Sequence, residues 1–294
     1  MWDPTMIALD TFPSGRANSL DSELSGILPA QISQPELPQP RWPLLDPCDT
    51  LYAQELELAR SIQQSLLPRR FPALPGFGLS GFCLSSRQVG GDFYDVLPLA
   101  RHSALLVIAD VMGKGVPAAL FAATLRGLIR TMADGRTPRP AQLLTRINRL
   151  MFEELSSVDM FITAQVVLLE ANKPRIIVAS AGHCPLLLSD PDGETTAISP
   201  DGIPLGISPE FTFSEVTVRP SGCALLYTDG LTEAADPDGE LYGQQRLANW
   251  LGANSKQNRT ASERSADLVQ ELQRFQSRPS PKDDQAFLIL AGER

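Results

Sequence analysis

Short apolar segments of strand-like length recur from about residue 77 onward, and they restrict the fold of this chain more than any other feature. They are FGLSGFCL, SALLVIAD, MFITAQVVLLE, PRIIVASA, PLLLSD, FTFSEVTV, CALLYTD and AFLIL. Turn sequences such as NKP and PDGE separate several of them. This spacing predicts hairpins and antiparallel pairing.

Helical segments come in pairs between these strands. VPAALFAATLRGLIRTMA, with Pro117 in its first turn, is followed by PAQLLTRINRLMFEEL. A second pair, GQQRLANWL and ASERSADLVQELQRF, precedes the last apolar segment. Strands in hairpins and helices in pairs together predict an α+β fold, with packed sheets covered by helical layers.

The beginning of the chain differs in composition from the rest. Eight prolines fall in the first fifty residues without a sustained period, so we expect residues 1–48 to form an extended or disordered arm. Residues 49–68 predict a linker or signalling helix that Pro68 ends. The main domain is then expected at 69–294.

The predicted linker helix carries one apolar stripe. Its residues recur at spacings of three and four: Tyr52, Leu56, Ala59, Ile62 and Leu66. Such a stripe packs against its own domain or against a second copy of the chain, and this one is too short to distinguish the two. A homodimer through residues 50–67 is therefore one of two open interpretations.

Composition narrows the choice of partners and compartment. The net charge of −9 argues against nucleic acid and anionic membranes as main partners, because both attract a basic surface. No apolar run approaches the roughly 18–20 residues of a membrane span, and the N-terminus lacks a signal-peptide pattern. The four cysteines form no C-x-x-C pair, and we expect them to be reduced. A cytoplasmic protein is expected.

Aspartates stand where several predicted strands reach the rim of a sheet. They are Asp92 after Gly90-Gly91, Asp110 after ALLVIA, Asp229 after CALLYT, and Asp283 and Asp284 before the last apolar segment. A single one of these would be a turn or a helix cap. If the rims coincide, the carboxylates repel one another unless cations neutralise them. Because the chain has only two histidines, such a site would rely on carboxylates, which favour Mg²⁺ or Mn²⁺.

Six motifs resemble, in order and character, those of the PPM (PP2C-like) serine/threonine phosphatases, and most closely the bacterial SpoIIE/RsbU branch. They are VGGDFYDV, IADVMGKGVPAALF, SAGHCPLLL, GIPLGI, LLYTDGLTEA and DDQAFLIL. The resemblance covers roughly residues 50–292. It implies a four-layer αββα sandwich, in which two antiparallel sheets are flanked by helix pairs, with two Mn²⁺ or Mg²⁺ ions at one end.

The same resemblance assigns the residues of the site. The metal ligands, which are also the catalytic residues, would be Asp92, Asp110 with the backbone carbonyl of Val111, Asp229 and Asp283. Asp284 is the alternative to Asp283, and Asp95 is expected to orient a ligand or a bound water.

Four further residues near the motifs have their own interpretations. We expect His183 to be structural, Lys114 to be a solvated loop residue, and Arg87 to be a candidate contact for substrate phosphate. Ala286 replaces the threonine that usually ends the D-D-x-T motif, which removes a hydroxyl group but none of the carboxylates.

The resemblance implies a hydrolase that acts on phosphoserine or phosphothreonine through water activated at a dinuclear Mn/Mg site. The substrate would be a regulatory phosphoprotein such as an anti-sigma-factor antagonist (STAS-like) protein. Two alternatives remain open: a catalytically weak pseudophosphatase that binds such a regulator, and a cation site that only stabilises loops.

Overall fold

The computed structural model describes residues 47–292 except 101, 134–137, 221 and 278–280. Almost all of the arm predicted at 1–48 therefore lies outside the described residues. Within them, no helix is long and apolar enough to cross a membrane. The helices are α1 (Pro47–Leu66), α2 (Val116–Ala133), α3 (Pro140–Ser156), α4 (Asp229–Thr232), α5 (Gly243–Ser255) and α6 (Ala261–Gln276).

Ten strands form two antiparallel sheets of five strands each. In chain order they are β1 (Phe77–Leu84), β2 (Phe93–Leu99), β3 (Ser103–Val111), β4 (Ile162–Glu170), β5 (Arg175–Ala181), β6 (Leu186–Ser189), β7 (Thr195–Ile198), β8 (Val216–Val218), β9 (Cys223–Tyr227) and β10 (Gln285–Gly292). The first sheet has the order β1-β10-β9-β6-β7, and the second has the order β2-β3-β4-β5-β8.

Three apolar cores hold four layers together. On β3, Leu105 and Val107 face α2 and α3, whereas Leu106 and Ile108 face the other sheet, because successive side chains of a strand point to opposite faces. The third core joins the outer face of the first sheet to α5 and α6 around Phe287. The order of layers is therefore α2/α3, sheet, sheet, α5/α6, and the predicted αββα sandwich is confirmed.

Several sequence segments differ from their predicted structure. β2 and β7 were not predicted as strands. FTFSEVTV forms a strand only at Val216–Val218, because Phe213 is buried in the core under α3 and the preceding backbone follows that contact instead of a sheet edge. Pro98 is tolerated in β2 because β2 lies at the edge of its sheet.

Candidate active site

Four strands deliver the predicted aspartates to one end of the sandwich. Asp92 directly precedes β2, and the start of β2 pairs with the end of β3, which carries Asp110. In the other sheet, the start of β10 pairs with the end of β9, so Asp283 and Asp284 lie beside Asp229. The antiparallel register thus places two strand ends of each sheet at the same rim.

The side chains of Asp92 and Asp110 interact directly with each other. Asp92 is 4% exposed, and its Oδ2 atom is buried without a hydrogen-bond partner. Burial, followed by the charge of Asp110, raises the pKa of Asp92 well above its usual value. Burial, followed by the charge of Asp229, raises the pKa of Asp110 to about 6. The two carboxyl groups repel each other as anions and can share a proton.

Asp229 extends the negative cluster toward solvent. Burial is the largest cause of its raised pKa, and the charges of Glu233 and Asp283 are the next largest. The thiol of Cys184 lies close to the same cluster. Its burial and the charges of Asp229, Asp110 and Asp92 raise its pKa to about 12. At neutral pH this thiol is therefore protonated and not a nucleophile.

Asp283 and Asp284 have different surroundings although they are adjacent. Asp283 is 38% exposed, and its Oδ1 lies 2.8 Å from Lys114 Nζ. Asp284 is buried and accepts hydrogen bonds from the backbone and hydroxyl of Ser86, at 2.7 and 2.8 Å, and from the amide of Gly91 at 2.9 Å. Asp284 thus ties two loops together, whereas Asp283 faces the open side of the cluster.

The loop that carries Asp92 requires glycine. A Cβ atom on Gly91 would come within 2.6 Å of the Val111 carbonyl oxygen, so the backbones of the two loops touch at this point. Gly113 and Gly115, in the loop before α2, have φ values of 90° and 78°, which favour glycine. These contacts bring the Val111 carbonyl beside the Asp92 loop.

Thr228 belongs to the site, a role that was not predicted from the sequence. Its side chain is fully buried, its hydroxyl accepts a hydrogen bond from the Ala286 amide at 2.9 Å, and its proximity lowers the pKa of Asp92 in part. A hydroxyl group is therefore present beside Ala286, where the usual threonine of the motif is absent. The only signal in the sequence was its position next to Asp229.

The contacts of Asp95 differ from the prediction that it orients a metal ligand. Asp95 is 1% exposed and accepts hydrogen bonds from Arg130 at 2.6 and 2.7 Å. Arg126 Nε lies 3.1 Å from the same carboxylate, and the Val96 amide donates to it at 2.9 Å. Because β2 alternates its faces, Asp95 points toward α2 and joins that helix to the sheet.

His183 is buried and held by neighbouring polar groups. Its Nδ1 lies 2.8 Å from the Thr163 hydroxyl, and its backbone amide donates to Ser180 Oγ at 3.1 Å. Burial lowers the pKa of His183 to about 4, and an interaction with the Tyr227 backbone offsets this effect in part. The buried Nε2 atom has no hydrogen-bond partner of ordinary geometry. A neutral, enclosed imidazole agrees with the structural role predicted for it.

The carboxylates are close together but do not form a ready set of metal ligands. Among the described residues, no group of three or more His, Cys, Asp or Glu side chains is arranged to hold a metal ion. The reason is visible at Asp283, which faces Lys114, and at Asp284, which is bound to Ser86 and Gly91. The unpartnered oxygen of Asp92 and its repulsion with Asp110 nevertheless suit a cation.

Comparison with solved structures places this architecture in a known class. The SiaA-PP2C domain of Pseudomonas aeruginosa matches with a TM-score of 0.73 and 24% identity, over 84% of this chain and 99% of that domain. A structure of RsbX in complex with magnesium matches with a TM-score of 0.56 and 18% identity, over 76% of this chain and 99% of that one. The fold is therefore PP2C-like.

Comparison of sequences identifies the family. The family model described as Stage II sporulation protein E (SpoIIE) matches residues 100–292, more than half of the chain, and the chain belongs to that family. Protein IcfG of Synechocystis sp. is 29% identical over 68% of this chain, and phosphoserine phosphatase RsbU of Bacillus subtilis is 29% identical over 64%. The chain spans only 36% and 56% of the lengths of these two relatives.

Proposed function

We propose that this protein is a metal-dependent serine/threonine phosphoprotein phosphatase. The observation that carries the proposal is the Asp92–Asp110 pair. Asp92 is buried, Asp110 is half-buried, both have raised pKa values, and one oxygen of Asp92 has no hydrogen-bond partner. Membership of the SpoIIE family and 29% identity to a phosphoserine phosphatase support the same conclusion. The proposed reaction replaces the phosphorus–serine oxygen bond with a bond from phosphorus to water oxygen.

Two Mn²⁺ or Mg²⁺ ions would be held by Asp92, Asp110, Asp229, Asp283 and the Val111 carbonyl. When bound, such ions polarise the phosphoryl group and lower the pKa of water into the neutral range. The chain itself concentrates negative charge at one rim of the sandwich, and Asp92 and Asp110 form the inner side of this acidic cluster. Asp283 would leave Lys114 to join the set, and Lys114 would then be free to face the phosphate dianion.

Arg87 is the proposed contact for the substrate phosphate. Its side chain is exposed, and its guanidinium lies close to Gly115, in the loop that follows Asp110. No acidic partner of Arg87 is found among the described residues. A guanidinium group in this position suits a phosphate group, because it can donate two parallel hydrogen bonds.

The proposed substrate is a regulatory phosphoprotein of the anti-sigma-factor antagonist (STAS-like) type. The support is the resemblance of six motifs to the SpoIIE/RsbU branch, together with the 29% identity to RsbU. A phosphorylated STAS-like protein and an artificial phosphate ester would be compared, each with Mn²⁺, with Mg²⁺ or with a chelator. Hydrolysis that needs a divalent ion and prefers the phosphoprotein is the expected result.

A matched pair of variants tests the site itself. Asp110→Asn should abolish hydrolysis, whereas Asp192→Asn, the same change at an exposed hairpin position, should leave it unaltered. Full activity of Asp110→Asn, or of wild type after complete metal removal, would contradict the mechanism.

A binding function without turnover is the second candidate. It is favoured by the ion pair of Lys114 with Asp283 and by the missing ready set of ligands among the described residues. Wild type that binds a phosphorylated regulator but releases no phosphate with either metal would support this pseudophosphatase.

We further propose that α1 is a linker helix between an N-terminal arm and a phosphatase domain at 69–294, and that it mediates homodimerisation. Tyr52 and Ile62 of its apolar stripe are 61% and 53% exposed, and Leu58 beside them is 62% exposed. On the neighbouring α2, Leu120 is 64% exposed. An apolar surface of this kind is typical of an interface. Sedimentation of wild type and Tyr52→Ser/Ile62→Ser tests the dimer.

A further inference from the structure

Gln63 of α1 forms two hydrogen bonds with the backbone of Gly90. Its side-chain Nε2 donates to the Gly90 carbonyl at 2.7 Å, and its Oε1 accepts from the Gly90 amide at 3.1 Å. Both polar groups of one amide thus bind one residue that lies 27 positions away in the chain. Two such bonds fix the orientation of the Gly90 peptide groups as well as their distance from the helix.

The loop held in this way leads directly to Asp92. Gly91, which lies between, donates its amide to Asp284 Oδ2 at 2.9 Å. Glycine is required at position 90, because a Cβ atom there would come within 2.0 Å of the same Asp284 oxygen. The Gly90-Gly91 segment is therefore held between Gln63 on one side and Asp284 on the other.

The attachment of α1 to the rest of the chain is otherwise sparse. Of the side chains described for α1, Gln63 alone hydrogen-bonds to a described residue outside the helix. Between α1 and α2 lies an apolar groove of about 210 Å³ that is open to solvent, and its lining includes Ile62, Leu66 and Leu120. Because this open groove leaves part of α1 unpacked against α2, the helix can shift at small cost in packing, and a shift would act on Gly90 first.

We propose that Gln63 is a positioning residue that couples the docking of α1 to the geometry of Asp92, and through it to metal affinity. This inference rests on the proposed function, because it takes Asp92 as a metal ligand. When α1 is docked, Gln63 holds the Gly90 peptide groups and Asp92 faces Asp110. When α1 moves away, both bonds break and the loop loses its contact with the helix, while the hydrogen bond from Gly91 to Asp284 remains.

Coupling of this kind must act in both directions. If docking of α1 favours metal binding, then metal binding must favour docking of α1 by the same factor. A purely structural hydrogen bond at the end of a helix would change stability equally with and without metal. The coupling hypothesis and the purely structural hypothesis therefore predict different results in a measurement that does not depend on catalysis.

Binding of Mn²⁺, measured by titration calorimetry, tests the forward direction. Two ordinary hydrogen bonds correspond to roughly a tenfold change in an equilibrium constant. We expect Gln63→Leu to bind Mn²⁺ about tenfold more weakly than wild type. Gln64→Leu, the same change at the exposed neighbouring position of the same helix, should bind within about twofold of wild type.

Two more variants at position 63 keep the test informative. Gln63→Glu retains an acceptor for the Gly90 amide but has no donor for its carbonyl, so it should also bind Mn²⁺ more weakly. Gln63→Met keeps the length of the side chain without either bond, and it replaces Gln63→Leu if that variant does not fold in the presence of a chelator.

Hydrogen exchange of α1 with and without Mn²⁺ tests the reverse direction. In wild type and in Gln64→Leu, Mn²⁺ should slow the exchange of amides near residue 63, and in Gln63→Leu this slowing should be lost. Equal Mn²⁺ affinity in Gln63→Leu and Gln64→Leu would overturn the inference and leave the proposed function intact. If wild type binds no Mn²⁺, both this inference and the proposed function are wrong.

Discussion

Lys114 Nζ lies 2.8 Å from Asp283 Oδ1, so this partly exposed aspartate of the cluster is already paired with a cation of the chain. Lys114 Nζ also donates to the Lys282 carbonyl at 3.0 Å. Both charged side chains of the pair are about one third exposed, so solvent screens their attraction. If Asp283 binds a metal ion as proposed, the pair would compete with that ion more than it stabilises the fold.

Replacement of Lys114 should separate these two effects. We expect Lys114→Gln to lower the free energy of unfolding without metal by less than about 1 kcal/mol, as for exposed ion pairs. The Mn²⁺ concentration for half-maximal binding should fall several-fold, because a competitor for Asp283 is lost. Calorimetric titration measures the affinity, and weaker binding in the variant would show that Lys114 assists the metal instead.

Asp283→Asn and Asp284→Asn should have different effects on stability. Asp284 accepts three hydrogen bonds from Ser86 and Gly91 inside the protein, so Asp284→Asn should cost about 2–4 kcal/mol in the free energy of unfolding. Asp283→Asn should change this stability little but weaken the binding of Mn²⁺. Urea unfolding with chelator, followed by Mn²⁺ titration, compares the two. The reverse pattern would make Asp284 the ligand.

Removal of one charge from the inner pair should stabilise the metal-free protein. The raised pKa of Asp110, about 6 against 3.8, means that the folded state binds more protons than the unfolded chain between these values. The free energy of unfolding without metal therefore falls as pH rises through this window, and the total loss is about 1–3 kcal/mol once the pH is above 6. Asp110→Asn should melt higher than wild type at pH 7.5 with chelator, and the difference should shrink at pH 4.5.

Asp192→Asn is the control for this measurement, because it makes the same chemical change at an exposed turn. It should follow wild type at both pH values. Added Mn²⁺ should raise the melting temperature of wild type by mass action and that of Asp110→Asn far less. Equal melting curves for wild type and Asp110→Asn with chelator at pH 7.5 would contradict the proposed repulsion.

Local patterns predicted packed sheets covered by helical layers and placed the aspartates at strand ends, whereas the resemblance of the motifs implied the four-layer order and the shared site. Apolar runs that end at Asp110 and Asp229 mark strand ends, and antiparallel pairing then brings neighbouring ends together. Contacts between distant residues leave no such pattern. The pairing of Asp95 with Arg126 and Arg130 depends on how α2 lies over β2, and no local pattern in the sequence predicts it.

The same limit applies to Thr228 and Gln63, two residues that support the site and to which the motifs assign no role. Thr228 contacts the Ala286 backbone across two neighbouring strands, 58 positions apart, and Gln63 reaches Gly90 from a separate helix. Thr228 lies inside the motif LLYTDGLTEA and Gln63 follows Ile62 of the apolar stripe, but neither residue has a spacing that indicates its partner. Only the packing of the layers shows which backbone groups these side chains reach.

Burial of His183 should make the stability of the protein depend on pH. Its pKa is lowered to about 4 in the folded state, against an ordinary value of 6.5, so the unfolded chain binds more protons between these values. The stability that this neutral imidazole contributes is fully present above pH 6.5 and is lost as pH falls toward 4, with a slope of up to about 1.4 kcal/mol per pH unit.

His183→Asn should remove this dependence while leaving other groups in place. Urea unfolding of wild type and variant at pH 7.5 and at pH 5 gives the difference in slope, and the opposite contribution of Asp110 is common to both proteins and cancels. His102 is exposed, so His102→Asn serves as the control and should keep the slope of wild type. An unchanged slope in His183→Asn would show that the imidazole is solvated in the folded state or is not neutral there.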